Sequence, residues 1–124
     1  MDEVLFDPLT GLMTPFHFYE SARRLRSWAE RRGQELALIA IDLTGIDEEG
    51  IARAARALLQ ELRGGDLLAR VGASNFALFL VGDTEAAGHL IFRLEHRIKP
   101  RLVYRATPVL KGEELTEPLA RLGI

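Results

Sequence analysis

The stretch "DLLARVGASNFALFLV", Asp66 to Val81, decides the fold. "DLLARV" and "FALFLV" are short apolar runs of strand length, and "GASN" between them has the length and turn chemistry of a hairpin. An antiparallel pair therefore sits in the middle of the chain. Before it, "ELALIAID" (35–42) reads as a buried strand ending on an acid, with "TGIDEEG" as the turn that follows. Ile51, Ala55, Leu58, Leu59 and Leu62 then recur as the apolar stripe of a helix stopped at Gly64-Gly65. After the hairpin, a helix runs from about Thr84 to Lys99 and is closed by Pro100. "RLVYRATPVL" supplies a last strand, and "GEELTEPLARLG" allows a short terminal helix interrupted by Pro118.

One helix precedes all of these. Thr14-Pro15 reads as an N-cap with proline in the first turn, and Phe18, Ala22, Leu25 and Ala29 recur at helical spacing as far as Gly33. Leaving that helix out, the order is β-α-β-β-α-β. The fold class is therefore α+β: a split βαβ, ferredoxin-like antiparallel sheet with helices on one face.

Bulk composition sets the function classes. The 124 residues fit one domain spanning 1–124, with no internal repeat or linker. A net charge of −2 argues against a nucleic-acid binder driven by a basic field. No apolar run approaches a membrane span, and the acidic opening "MDEVLFDP" is unlike a secretion signal. The absence of cysteine excludes thiolate metal sites and disulfides and suits a cytoplasmic protein. Arginine outnumbers lysine fourteen to two, which reads first as genome composition. Arg23, Arg24, Arg26, Arg31 and Arg32 form a solvated helix face, with Trp28 at the edge of the apolar stripe. His17, His89 and His96 show no metal-ligand spacing, although the last two share one helical face.

Three pieces together resemble one family. "DPLTGL" (7–12) ahead of the first helix, "LIAID" ending at Asp42, and the hairpin "RVGASNF" (70–76) are similar to the GGDEF domains, the diguanylate cyclases. The likeness covers residues 5 to about 108, and "DPLTGL" is its most specific part. It implies the nucleotidyl-cyclase, palm-like version of the fold. It also places the Arg-x-Gly-Gly-Asp/Glu-Glu-Phe signature at Gly72, Ala73, Ser74, Asn75 and Phe76, leaving the Gly-Gly-Asp at 64–66 as a coincidence of letters.

The family condenses two GTP molecules into cyclic di-GMP, with Mg²⁺ held by carboxylates at the first strand end and in the signature. Asp42 supplies the first carboxylate, but the signature acids are replaced by Ser74 and Asn75, and Ala73 puts a Cβ where a glycine lets phosphate approach. Asp47 stands where the family has lysine, although Ile46 keeps the apolar position. The guanine-reading segment is shorter by roughly a dozen residues, some three helical turns, and the phosphate-binding C-terminal helix has no counterpart. The expectation is a catalytically inactive domain without cofactor, with Mg²⁺ at Asp42 only if residual nucleotide binding survives. Otherwise the Asp42 carboxylate bonds to the next turn.

The family's inhibitory Arg-x-x-Asp site, which binds the product, falls on Arg63 and Asp66, nine residues before the signature. Arginine offers a planar fork to phosphate or guanine, and a carboxylate accepts from guanine N1 and N2. The family completes this site from a second domain, a role that falls here to Arg93 or Arg97. The structural alternative is that Asp66 starts a strand and Arg63 neutralises the helix C-terminus. Three functions follow: a cyclic di-GMP receptor, a protein-interaction or homodimerisation module, and a residual GTP-binding enzyme. None of them involves nucleic acid or membrane.

Overall fold

The structure is a computed structural model describing residues 4–124. Its eight elements are α1 (Pro15–Arg32), β1 (Leu36–Asp42), α2 (Glu48–Glu61), β2 (Leu67–Gly72), β3 (Asn75–Val81), α3 (Thr84–Arg97), β4 (Val103–Val109) and α4 (Thr116–Arg121). The strands form one antiparallel sheet in the order β2-β3-β1-β4, the arrangement expected of a split βαβ. Strand β1 lies inside the sheet. Leu36 faces Val81 on one side and Val109 on the other, and Asp42 faces Asn75 and Val103.

The strands β1 and β3 read as unbroken apolar runs because both of their faces are covered. Ala37, Ile39 and Ile41 join Phe76, Leu78 and Leu80 in a core closed by Ile51, Ala54, Ala55 and Leu58 of α2 and Ala87, Leu90 and Leu94 of α3. Leu36, Leu38, Ala40, Ala77 and Phe79 point the other way, against Phe18, Ala22 and Ala29 of α1 and Leu119 of α4. The two helices of the βαββαβ unit thus share one face, as expected. The helices outside that unit, α1 and α4, close the opposite one.

Local chemistry sets the helix ends. Thr14 caps α1 by accepting from the His17 N–H at 3.4 Å, and Gly33 ends it in the left-handed conformation at φ 66°. Asp47 and Asp83 cap α2 and α3, each accepting at 2.8 Å from the N–H three residues on. Three expectations are corrected. Leu59 is 48% exposed, because the buried stripe of α2 runs through Ala54 in its place. The helix α3 ends at Arg97, two residues short of Lys99. Pro118 does not interrupt α4, since it stands in the first turn, where its missing N–H has no intrahelical partner to lose.

Both sheet edges are guarded. Met13 lies along β2, donating its N–H to the Leu68 carbonyl at 3.2 Å and accepting from the Arg70 N–H at 2.9 Å. On β4, Pro108 removes a donor, and Arg121 covers its carbonyl at 2.7 Å while donating to the Thr107 hydroxyl at 2.9 Å. Glu113 closes this latch with two bonds from Arg121, which hold its carboxyl down at about 2.

Candidate functional site

The predicted signature residues occupy the tip of the β2–β3 hairpin. Gly72 pairs with Asn75, Ala73 and Ser74 make the two-residue turn, and a register shift between Arg70 and Gly72 bulges the strand at Val71. No non-glycine residue among those described has positive φ, so this is not the primed turn that two-residue hairpins favour. The bulge adds the local twist that such a turn would otherwise provide. Phe76 is fully buried beneath the tip.

The tip is tied down from two sides. Leu43 donates its N–H to the Ser74 carbonyl at 2.8 Å. The Arg70 guanidinium donates to the Ala73 carbonyl at 2.8 Å and reaches the Asp7 carboxylate at 3.3 and 3.4 Å. Asp7 also accepts from the Thr10 N–H at 2.9 Å and the Thr10 hydroxyl at 2.8 Å. Burial alone would raise the Asp7 carboxyl, but the bonds from Thr10 and then Arg70 outweigh it and hold it low. The motif ahead of α1 and the hairpin are therefore one construction, 63 residues apart in sequence. Sequence reading named both segments without joining them. The only available signal was an acid and an arginine, each at a motif position.

Asp42 sits at the end of β1, directly across from Asn75. Its Oδ1 accepts from the Thr44 N–H at 2.8 Å and the Thr44 hydroxyl at 2.6 Å, and these bonds, with a smaller pull from Arg105, keep the carboxyl ionised below its usual range. Mg²⁺ requires near-octahedral oxygen ligands, most effectively from several carboxylates and phosphate. Here the partners across the sheet are neutral Asn75 and Val103, and no three His, Cys, Asp or Glu residues cluster among those described. The residues present do not fit the metal.

The second predicted cluster lies at the other end of β2, a strand length of roughly 20 Å from the tip at about 3.3 Å per residue. Arg63, Asp66 and Arg93 line one cavity of about 150 Å³, together with Glu61, His89, Leu80 and Leu90. Asp66 accepts from the Arg63 N–H and the Val81 N–H, both at 3.3 Å, so its carboxylate ties the turn to the end of β3. The Arg63 side chain is exposed and has no ion pair among the described residues. Arg93 and Arg97 converge on Glu61, the last residue of α2: Arg93 reaches the carboxylate at 3.2 Å and the carbonyl at 3.0 Å, and Arg97 reaches the carboxylate at 3.2 and 3.3 Å. Arg93 thus joins Arg63 and Asp66 within a single chain, whereas Arg97 stands outside the cavity. Glu61 and His89 were missed: His89 stands one helical turn before Arg93 on α3, but nothing in the spacing links either to position 61.

No family model matches the sequence, and comparison with the curated proteins finds no match. Solved structures do match. The diguanylate cyclase SiaD of Pseudomonas aeruginosa, solved in complex with its activator SiaC, superposes with a TM-score of 0.85 at 25% identity over 94% of this chain. This chain spans only 54% of that one. The GGDEF domain of DgcB from Caulobacter crescentus, solved with c-di-GMP, gives 0.77 at 16% identity over 98% of this chain and 84% of the other. The FimX GGDEF domain of Pseudomonas aeruginosa gives 0.74 at 19% identity over 96% and 89%. The chain is a GGDEF-fold domain. No helix among the described residues is long and apolar enough to cross a membrane.

Proposed function

We propose that the chain is a catalytically inactive regulatory domain that binds cyclic di-GMP at the Arg63–Asp66–Arg93 cavity. The observation that carries this reading is the convergence of an unpaired arginine, a carboxylate and a second arginine on one pocket. Inactivity is supported by the hairpin tip, where Asp42 pairs with neutral Asn75 and the turn itself carries neutral Ala73 and Ser74. Support for the ligand comes from the DgcB GGDEF domain, solved with that molecule. The cavity of about 150 Å³ lies below the ~300–1,000 Å³ of enclosed ligand sites. It takes the edge of one base and leaves the rest of the nucleotide on the open surface.

Two measurements test the reading. Calorimetric titration should show cyclic di-GMP binding, and Arg63→Ala should weaken it by about 1.5–3 kcal/mol, the range for a hydrogen bond to a charged group. That is roughly a ten- to hundredfold loss. The fold should be undisturbed, since the arginine is exposed. In parallel, GTP with Mg²⁺ or Mn²⁺ should yield no cyclic di-GMP above a protein-free control, and restoring Ser74→Glu and Asn75→Glu together should not change that. Product in the wild-type assay refutes inactivity.

A flat titration at high protein concentration removes the receptor and leaves a second reading, a partner-binding module. That reading is favoured by Leu5, Phe6 and Phe16, exposed by 44%, 54% and 45% around the start of α1.

A further inference from the structure

Three arginines stand near the cavity, yet only Arg63 lacks an acidic partner. Glu61 occupies the other two. Its side chain is 14% exposed, whereas those of Arg93 and Arg97 are 41% and 62% exposed. One half-buried carboxylate therefore holds two cations more exposed than itself. Arg93 lines the cavity and Arg97 does not.

This asymmetry has an energetic consequence. Removing the partner from a half-buried carboxylate leaves an uncompensated charge, which costs on the scale of a partly exposed ion pair. If Arg93 were the sole partner of Glu61, a ligand could recruit it only by stranding that charge. With Arg97 in place, Arg93 can turn to an incoming anion while Glu61 stays neutralised. Guanidinium binds phosphodiester oxygens with the same planar fork it gives a carboxylate, so the exchange is like for like.

We propose that Glu61 is a built-in competitor for the ligand phosphate, holding the site closed through Arg93, and that Arg97 is the standby cation that allows the exchange. The proposal rests on the receptor reading above and adds its regulation. Arg97 acts without touching the ligand, so it is a positioning residue.

The test is a titration of cyclic di-GMP into four proteins: wild type, Glu61→Gln, Arg97→Ala and the double variant, each also measured for its denaturant midpoint. Glu61→Gln should bind about two- to fivefold more tightly, the scale of a partly exposed ion pair. Arg97→Ala should bind more weakly by a similar factor, although it lies outside the cavity. The double variant should match Glu61→Gln, because with no charge at position 61 there is none to strand. If Glu61 only ties α2 to α3, the single variants lower the denaturant midpoint and leave affinity unchanged, which overturns the proposal. Weaker binding by Glu61→Gln overturns it too, since Glu61 would then be assisting the ligand. Absence of binding in all four proteins removes the receptor reading itself, a different result from equal affinities in all four.

Discussion

Phe76→Ala is expected to lower the unfolding free energy by about 3–5 kcal/mol, the range for emptying a phenylalanine site in a packed core. Phe76 is fully buried. It stands opposite Ile41 on the central strand and packs in the cluster that α2 and α3 close. Emptying the site takes dispersion contacts from the cluster residues that line it. A domain of this size has a total stability of roughly 5–15 kcal/mol, so the loss removes a large share of it. The measurement is the urea midpoint, which should fall with little change in slope. A loss below about 1 kcal/mol would mean that the hairpin does not pack Phe76 into this core.

Phe18→Ala should cost about as much, roughly 3–5 kcal/mol, and for a separate reason. Phe18 anchors α1 to the other face of the sheet, edge-on to Phe79 with ring centroids 6.3 Å apart. The two phenylalanines belong to different clusters on opposite sides of the sheet, so their effects should add within a few tenths of a kcal/mol. Hydrogen exchange should tell them apart. Phe18→Ala should speed exchange in α1 first, whereas Phe76→Ala should loosen the hairpin and α2. Equal protection of α1 in wild type and Phe18→Ala would show that this helix does not depend on its aromatic anchor.

Much of the architecture was legible because it rests on local pattern. The run from Leu36 to Asp42, the paired strands around "GASN" and the Thr14-Pro15 start of α1 each declare themselves within about ten residues. So did the different settings of Gly64-Gly65-Asp66 and the "GASN" stretch, since only the second joins two paired strands. What stayed hidden depends on tertiary distance. Nothing local says that Asp7 receives Arg70, or that Asp66 reaches the Val81 N–H on another strand. The clamp from Glu61 to Arg93 and Arg97 spans 32 and 36 positions; the two arginines were read only as contributors from a second domain, and Glu61 looks like an ordinary surface charge in sequence. Leu59 was misplaced because it adjoins Leu58 in sequence, whereas helical spacing from Ile51, Ala54, Ala55 and Leu58 puts position 59 on the exposed side with Arg56 and Gln60. Pro118 was misread because its effect depends on where the helix begins, and Leu115 precedes that start without a side-chain cap.

The placement of β1 also has a consequence for the chain as it is made. Its partners β3 and β4 are both encoded later, β4 beginning only at Val103. During synthesis "LALIAI" therefore leaves the ribosome with neither neighbour available, and at roughly 5–20 residues per second the last pairing follows several seconds behind. Such a segment, uncharged and free of proline, is the kind that joins other chains edge to edge. Glu35 and Asp42 flank it with like charge, which discourages that pairing while the strand is unpartnered. The acid at the end of β1 thus has a use before the fold exists, one that asks for neither nucleotide nor metal.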